Sequence, residues 1–205
     1  MKRLLFGRYR NVFIFVVLVG IYGFWLRARW IRNDQGYTCL SNLHAIAAGM
    51  LMYSEDYDGK LPPAIFHDKT VGWANGLQPY VKSYALFQCP LEAHGQQKVP
   101  QPDKPRFTDY WMNSNLAGLD AREIKNANKI IMLGDGDGGA PESTASYAIR
   151  KLPMEWRTLS DSPAKRHHGG ANYALADGHV KFLSAKQIAQ VPPMKKSQFS
   201  TLLVK

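Results

Sequence analysis

Apolar residues are distributed along this chain in three ways, and each predicts a different element. From Val12 to Leu26 the chain reads VFIFVVLVGIYGFWL, an uncharged run with no polar face. A helix apolar on every side is one solvated by lipid. At ~1.5 Å per residue the run covers ~22 Å of a hydrocarbon core ~30 Å thick. Tyr9, Ile31 and the snorkelling stems of Arg8, Arg10, Arg27 and Arg29 therefore have to extend it, and Trp25 and Trp30 stand where the far lipid–water boundary would fall. From Cys39 the pattern narrows to a stripe. Cys39, Leu43, Ile46, Met50, Tyr53 and Tyr57 recur at spacings of 4, 3, 4, 3 and 4, flanked by Leu40, Ala47 and Leu51, which is one face of a helix packed on a domain. Asn33-Asp34-Gln35-Gly36 is the place for a kink, and Asp58-Gly59 with Lys60-Leu61-Pro62-Pro63 is a stop, because glycine accepts a left-handed cap and proline cannot continue the ladder.

The third pattern is short apolar runs bounded by turn residues. Prolines make 61–106 loop-rich, with a short helix expected over Trp73 to Ser83 and an exposed excursion from Pro100 to Pro105. Phe107 to Asn113 and Lys129 to Leu133 read as strands. Asp177-Gly178 is a two-residue hairpin signal for a type I′ turn. That register pairs Ala176 with His179, Leu175 with Val180, Ala174 with Lys181 and Tyr173 with Phe182, putting Tyr173, Leu175, Val180 and Phe182 on the core face. The segments are then 1–32, N-terminus and anchor; 33–60, amphipathic extension; 61–190, globular domain; and 191–205, basic tail.

Charge refines the first element. Residues 1–32 carry seven Lys and Arg and no acid; the remaining 19 basic residues face all 16 acids, a net of +3 out of +10. The basicity thus belongs to the membrane flanks, and a clustered nucleic-acid face is not expected. Lys2, Arg3, Arg8 and Arg10 precede the span and Arg27, Arg29 and Arg32 follow it, which orients the N-terminus inward. Phe24-Trp25-Leu26-Arg27 lacks the small-x-small exit of a cleaved signal, so the anchor is expected to stay.

The stretch Cys39-Leu-Ser-Asn-Leu-His-Ala-Ile, then Met52-Tyr53-Ser54-Glu55-Asp56-Tyr57-Asp58-Gly59-Lys60-Leu61-Pro62-Pro63, resembles the post-membrane half of bacterial pilin-like, or pseudopilin-like, proteins. Phe87-Gln-Cys89-Pro90 and the ending from Arg166-His167-His168-Gly169-Gly170 to Ala176-Asp177-Gly178-His179 are similar to that group too, whose members often carry a His, nine residues, then Asp-Gly, as at His167 and Asp177-Gly178. The resemblance covers about residues 37 to 185. It implies an α+β, pilin-like fold: a long N-terminal helix packed on a small antiparallel sheet, working as an envelope-facing structural or interaction protein of type II secretion or type IV pilus kind. Its partners would be the bilayer and other pilin-like or secretion-system subunits. The chain departs from the prepilin pattern at Gly7, which is followed by Arg8-Tyr9-Arg10-Asn11-Val12. The likeness therefore does not extend to the processing motif or the assembly glutamate.

Candidate chemistry is sparse. Cys39 and Cys89, 50 positions apart, would tie the long helix to the next lobe as a disulfide in an oxidising compartment, worth about 4 kcal/mol, or else stand as two buried thiols. Asp135 and Asp137 in Gly134-Asp-Gly-Asp-Gly-Gly139 could turn toward one hard cation, Ca²⁺ first, although Gly139 and Ser146 break an EF-hand pattern and a plain turn is the simpler reading. His167, His168 and His179 with Asp177 form the second constellation, suited to zinc if they converge. Together with the aspartate loop they define the alternative function, a metal-dependent hydrolase or metal-binding ectodomain. A surface-binding alternative needs Trp111 or Trp156 exposed beside Lys165-Arg166. His44, His67 and His94 are isolated, and no nucleophile elbow, Walker loop or dinucleotide fingerprint occurs. The expectation is a non-enzymatic, membrane-anchored protein.

Overall fold

A computed structural model describes residues 2–66, 71–92 and 101–190, with side chains described from residue 12 onward and not for 31–35. The tail 191–205, His67 and His94 lie outside the described residues. One helix, α1, runs from Lys2 to Asp56, so of the kink or break expected at Asn33–Gly36 the break is not there. Its stretch from Val12 to Trp30 is long and apolar enough to cross a membrane, and none of its residues is buried.

The lower half of α1 is the inner wall of the domain. Cys39, Leu43, Ile46, Ala47 and Met50 are fully buried and Tyr53 nearly so, as the stripe requires. Tyr57 is the exception. It lies in the turn beyond the helix, half exposed, stacked on Tyr53 with ring centroids 4.1 Å apart. The stop works as expected: Asp58 and Gly59 take positive φ, and the Gly59 N–H donates to Ser54 O at 2.7 Å. Leu61 then pairs by backbone hydrogen bonds with the segment at Gly118 and Leu119, fastening the exit to the domain.

Two short helices follow, α2 (Trp73–Gly76) and α3 (Gln78–Val81), in place of the single one expected. They bury Trp73, Leu77 and Val81 on α1, and the Trp73 indole donates to Tyr147 O at 2.8 Å. The sheet is formed by β1 (Tyr110–Asn113), β2 (Ile131–Asp135), β3 (Ala148–Ile149), β4 (Gly170–Leu175) and β5 (Val180–Ser184), in the order β3-β1-β2-β4-β5. Four strands are antiparallel neighbours, but β3 runs parallel to β1, so the sheet is mixed where an antiparallel one was expected. A parallel two-residue edge carries no periodicity of its own to announce it. Two short helices close the chain's described part, α4 (Met154–Thr158) and α5 (Ala185–Ala189).

The sheet is buried on both faces. One packs on α1, α2 and α3; the other covers a second cluster of Trp111, Ile131, Trp156, Tyr173, Leu175 and Leu183. Trp111 and Trp156 are therefore core residues, which removes the exposed aromatics of the surface-binding alternative. The β4–β5 hairpin is slipped by one residue from the expected register: Ala174 faces Val180, Tyr173 faces Lys181 and Asn172 faces Phe182. Only Gly178 has positive φ, while Gly178 N donates to Leu175 O and Leu175 N to His179 O. That is a three-residue loop ending in a left-handed glycine bulge. The slip sends Phe182 outward, 45% exposed, and brings Leu183 in. A pair of left-handed residues does occur nearby, at His168 and Gly169, where Gly170 N donates back to His167 O.

Candidate functional site at the buried disulfide

Cys39 of α1 and Cys89, in the segment after a 3₁₀ turn at Tyr84–Phe87, form a disulfide with Cα atoms 5.3 Å apart. Both residues are inaccessible to solvent. The pairing fixes the helix to the domain at the level where α1 leaves the apolar span. The Cys89 N–H donates to the buried Asp109 carboxylate, and Asp109 in turn holds β1's entry through its backbone bonds with Phe87 and Gly136.

His167 is brought to the same place by the tight turn at His168-Gly169. Its ring is almost fully buried, with Nε2 3.2 Å from Asp135 Oδ2 and 3.7 Å from Cys89 Sγ. Asp135, at the end of β2, is wholly buried; its Oδ2 also accepts from the Asn172 N–H at 2.6 Å. With Nε2 carrying the proton toward Asp135, Nδ1 faces α1 at Gly36. The Asp135 Oδ1, the His167 Nδ1, the Asn172 amide nitrogen and the Tyr173 hydroxyl are all buried with no partner among the described residues. Burial, and then the Asp135 charge, push the Tyr110 and Tyr173 hydroxyls well above the ordinary tyrosine range. The centre is thus buried, with hydrogen-bonding capacity left over among the described residues.

Arg166 borders it. Its guanidinium donates to Gly136 O at 2.6 Å and pairs with Glu92 at 2.7 Å, at one wall of an open cleft of about 400 Å³ that Asp137 and Asp161 also line. Salt-bridged within the wall, Arg166 serves first to pin the β2 exit to the segment carrying Cys89.

The two expected constellations are redistributed. Asp135 and Asp137 do not form a shared loop site, because β2 continues through Asp135 and turns its carboxylate into the core, whereas Asp137 accepts from the Gly139 N–H at 2.9 Å in the next turn. The glycines flanking them serve packing. A Cβ on Gly134 would lie 2.6 Å from the Tyr173 ring and 2.7 Å from Trp111, and one on Gly138 would collide with Asp109. His168 is exposed on its left-handed backbone. His179 is exposed and bonded through Nδ1 to Asp177 at 2.9 Å, its own turn partner. Among the described residues, the one cluster of three or more His, Cys, Asp or Glu ligand atoms close enough for a metal is Cys39, Cys89 and His167, all within 4.8 Å of one another. His167 is common to both the expected and the observed sets; its partners are new.

No protein-family model, curated protein or solved structure matches this chain. What it does has to be argued from its own geometry.

Proposed function

We propose that this chain is a single-pass membrane protein of the cell envelope, its N-terminus in the cytoplasm and its domain outside, working as a pilin-like structural or interaction subunit. The observation that carries the reading is the contrast along α1. From Val12 to Trp30 the helix offers large apolar side chains on all sides and none of its residues is buried, while from Cys39 to Tyr53 one face of it is part of the domain's core. Stable exposure of so much apolar surface requires lipid or neighbouring helices. The inaccessible Cys39–Cys89 disulfide suits an oxidising compartment, and the excess of basic residues before the span suits a cytoplasmic N-terminus. The sequence likeness from Cys39 through His167 to Asp177-Gly178 points to the pilin-like group.

The scattered positions of Asp137, His168 and His179 leave the hydrolase alternative without its ligand set. A reporter active only outside the cytoplasm, fused after Lys205, is expected to be active, and one active only inside to be silent. The reverse pattern would refute the orientation.

A further inference from the structure

We propose that Cys39, Cys89 and His167, with Asp135, form a zinc site when the disulfide is reduced, so that one cluster clamps α1 to the domain in either redox state. The spacing is the first ground. A tetrahedral zinc with bonds of about 2.0–2.3 Å holds its ligands roughly 3.3–3.8 Å apart. The His167 Nε2 already lies 3.7 Å from Cys89 Sγ and 3.2 Å from Asp135 Oδ2, and both sulfurs and the imidazole fall within 4.8 Å of one another. The two sulfurs have to separate, from a covalent bond to about 3.8 Å at a Cα spacing of 5.3 Å, and the Asp135 carboxylate, which lies outside the cluster of three, has to turn toward it.

The unpartnered carboxylate oxygen is the second and independent ground. Asp135 is 0% exposed, yet its Oδ1 has no partner among the described residues. A buried acceptor left open costs about 1–3 kcal/mol, and a cation bound beside His167 would satisfy it. Two thiolates and an imidazole, with a carboxylate to complete a four-ligand set, select zinc among the common divalent ions.

A dithiol in the cell, or a phosphine and water in the experiment, gives two electrons to the Sγ–Sγ bond and two protons to the sulfurs. The reductant becomes a cyclic disulfide or a phosphine oxide, and two thiols remain. Zn²⁺ then displaces both thiol protons to the solvent, and His167 binds through Nε2 as the neutral tautomer with its proton on Nδ1, which frees the Asp135 carboxylate from the Nε2 hydrogen bond. The chain would enter the reduced state before its domain reaches an oxidising compartment, and zinc would hold the geometry from which the disulfide later closes.

The test uses the full-length chain in detergent micelles, with Co²⁺ as the spectroscopic probe and Zn²⁺ as competitor. After phosphine reduction without oxygen, one Co²⁺ per chain is expected, with thiolate-to-cobalt charge-transfer absorption that Zn²⁺ abolishes; the oxidised chain should show none. His167→Ala should weaken binding at least tenfold and Asp135→Asn about tenfold, while His168→Ala leaves it unchanged. Should reduction unfold the domain, Zn²⁺ is expected to restore the far-ultraviolet circular dichroism and raise the melting temperature of the wild type, but not of the Cys39→Ser, Cys89→Ser double variant. Absence of thiolate-coordinated Co²⁺ and of zinc rescue in the reduced wild type overturns the proposal. So does equal affinity in His167→Ala. Because binding is read on the purified chain, this result is separate from the membrane orientation tested above.

Discussion

The two halves of α1 are built from similar residues and differ in what covers them. Between Val12 and Trp30 the apolar side chains point in every direction, and all stay uncovered. Between Cys39 and Tyr53 they keep to one stripe, and that stripe is buried while Glu55 and Asp56 beyond it face water. Hydrophobicity alone does not separate the halves; its angular spread does. A single unbroken helix can therefore carry two unlike jobs, because each half needs only its own face pattern and shares the same backbone ladder.

Breaking the contrast from the domain side should have the largest effect. The Cys39–Cys89 bridge closes a segment of 50 positions, so the Cys39→Ala, Cys89→Ala pair should lower domain stability by about 4 kcal/mol, read by chemical denaturation in micelles. Leu43→Ala, at a fully buried position, should cost about 3 kcal/mol, whereas Leu18→Ala in the bare half should change the same measurement by less than about 0.5 kcal/mol. Equal effects at the two leucines would mean that the halves are not different environments.

From the membrane side the sensitivity should invert. Val19→Arg places a charge near the middle of the span and should cost about 3 kcal/mol of insertion, read as a larger non-membrane fraction. The domain's unfolding transition should not move.

The smallest effect is at the junction of helix and domain. Arg122 donates to both carboxylate oxygens of Asp120 and to Asp58 O in the turn that ends α1, holding the Asp120 carboxyl down to about 2. A carboxyl depressed on folding contributes stability above its unfolded pKa near 4 and loses it as pH falls through 2. Asp120→Asn should therefore melt slightly below wild type at pH 6, and the gap should close on acidification toward pH 2.

Much of this was legible in the sequence, for a physical reason in each case. The bare span, the stripe, the Asp58-Gly59 stop and the strands at Tyr110 and Ile131 are local, and periodicity or turn chemistry specifies them. The hairpin was legible in existence but not in register, since Asp177-Gly178 serves both a type I′ turn and a type I turn with a glycine bulge, and packing of Leu183 decides between them. The glycine run misled because its purpose is tertiary: room for Trp111 and Tyr173, which sit far away in sequence. One hint was available, since Gly134, Gly136 and Gly138 alternate at the period of a strand and so strip one face of it. The grouping of His167 with Cys89 and Asp135 spans 78 and 32 positions, and only the folded sheet brings them together.

The most direct measurement is alkaline carbonate extraction of cell membranes containing the full-length chain, followed by sizing in buffer without detergent. The account predicts that the chain stays in the membrane pellet and needs detergent to dissolve. Release into the supernatant as a folded monomer would contradict it, because Val12 to Trp30 would then have found a cover other than lipid.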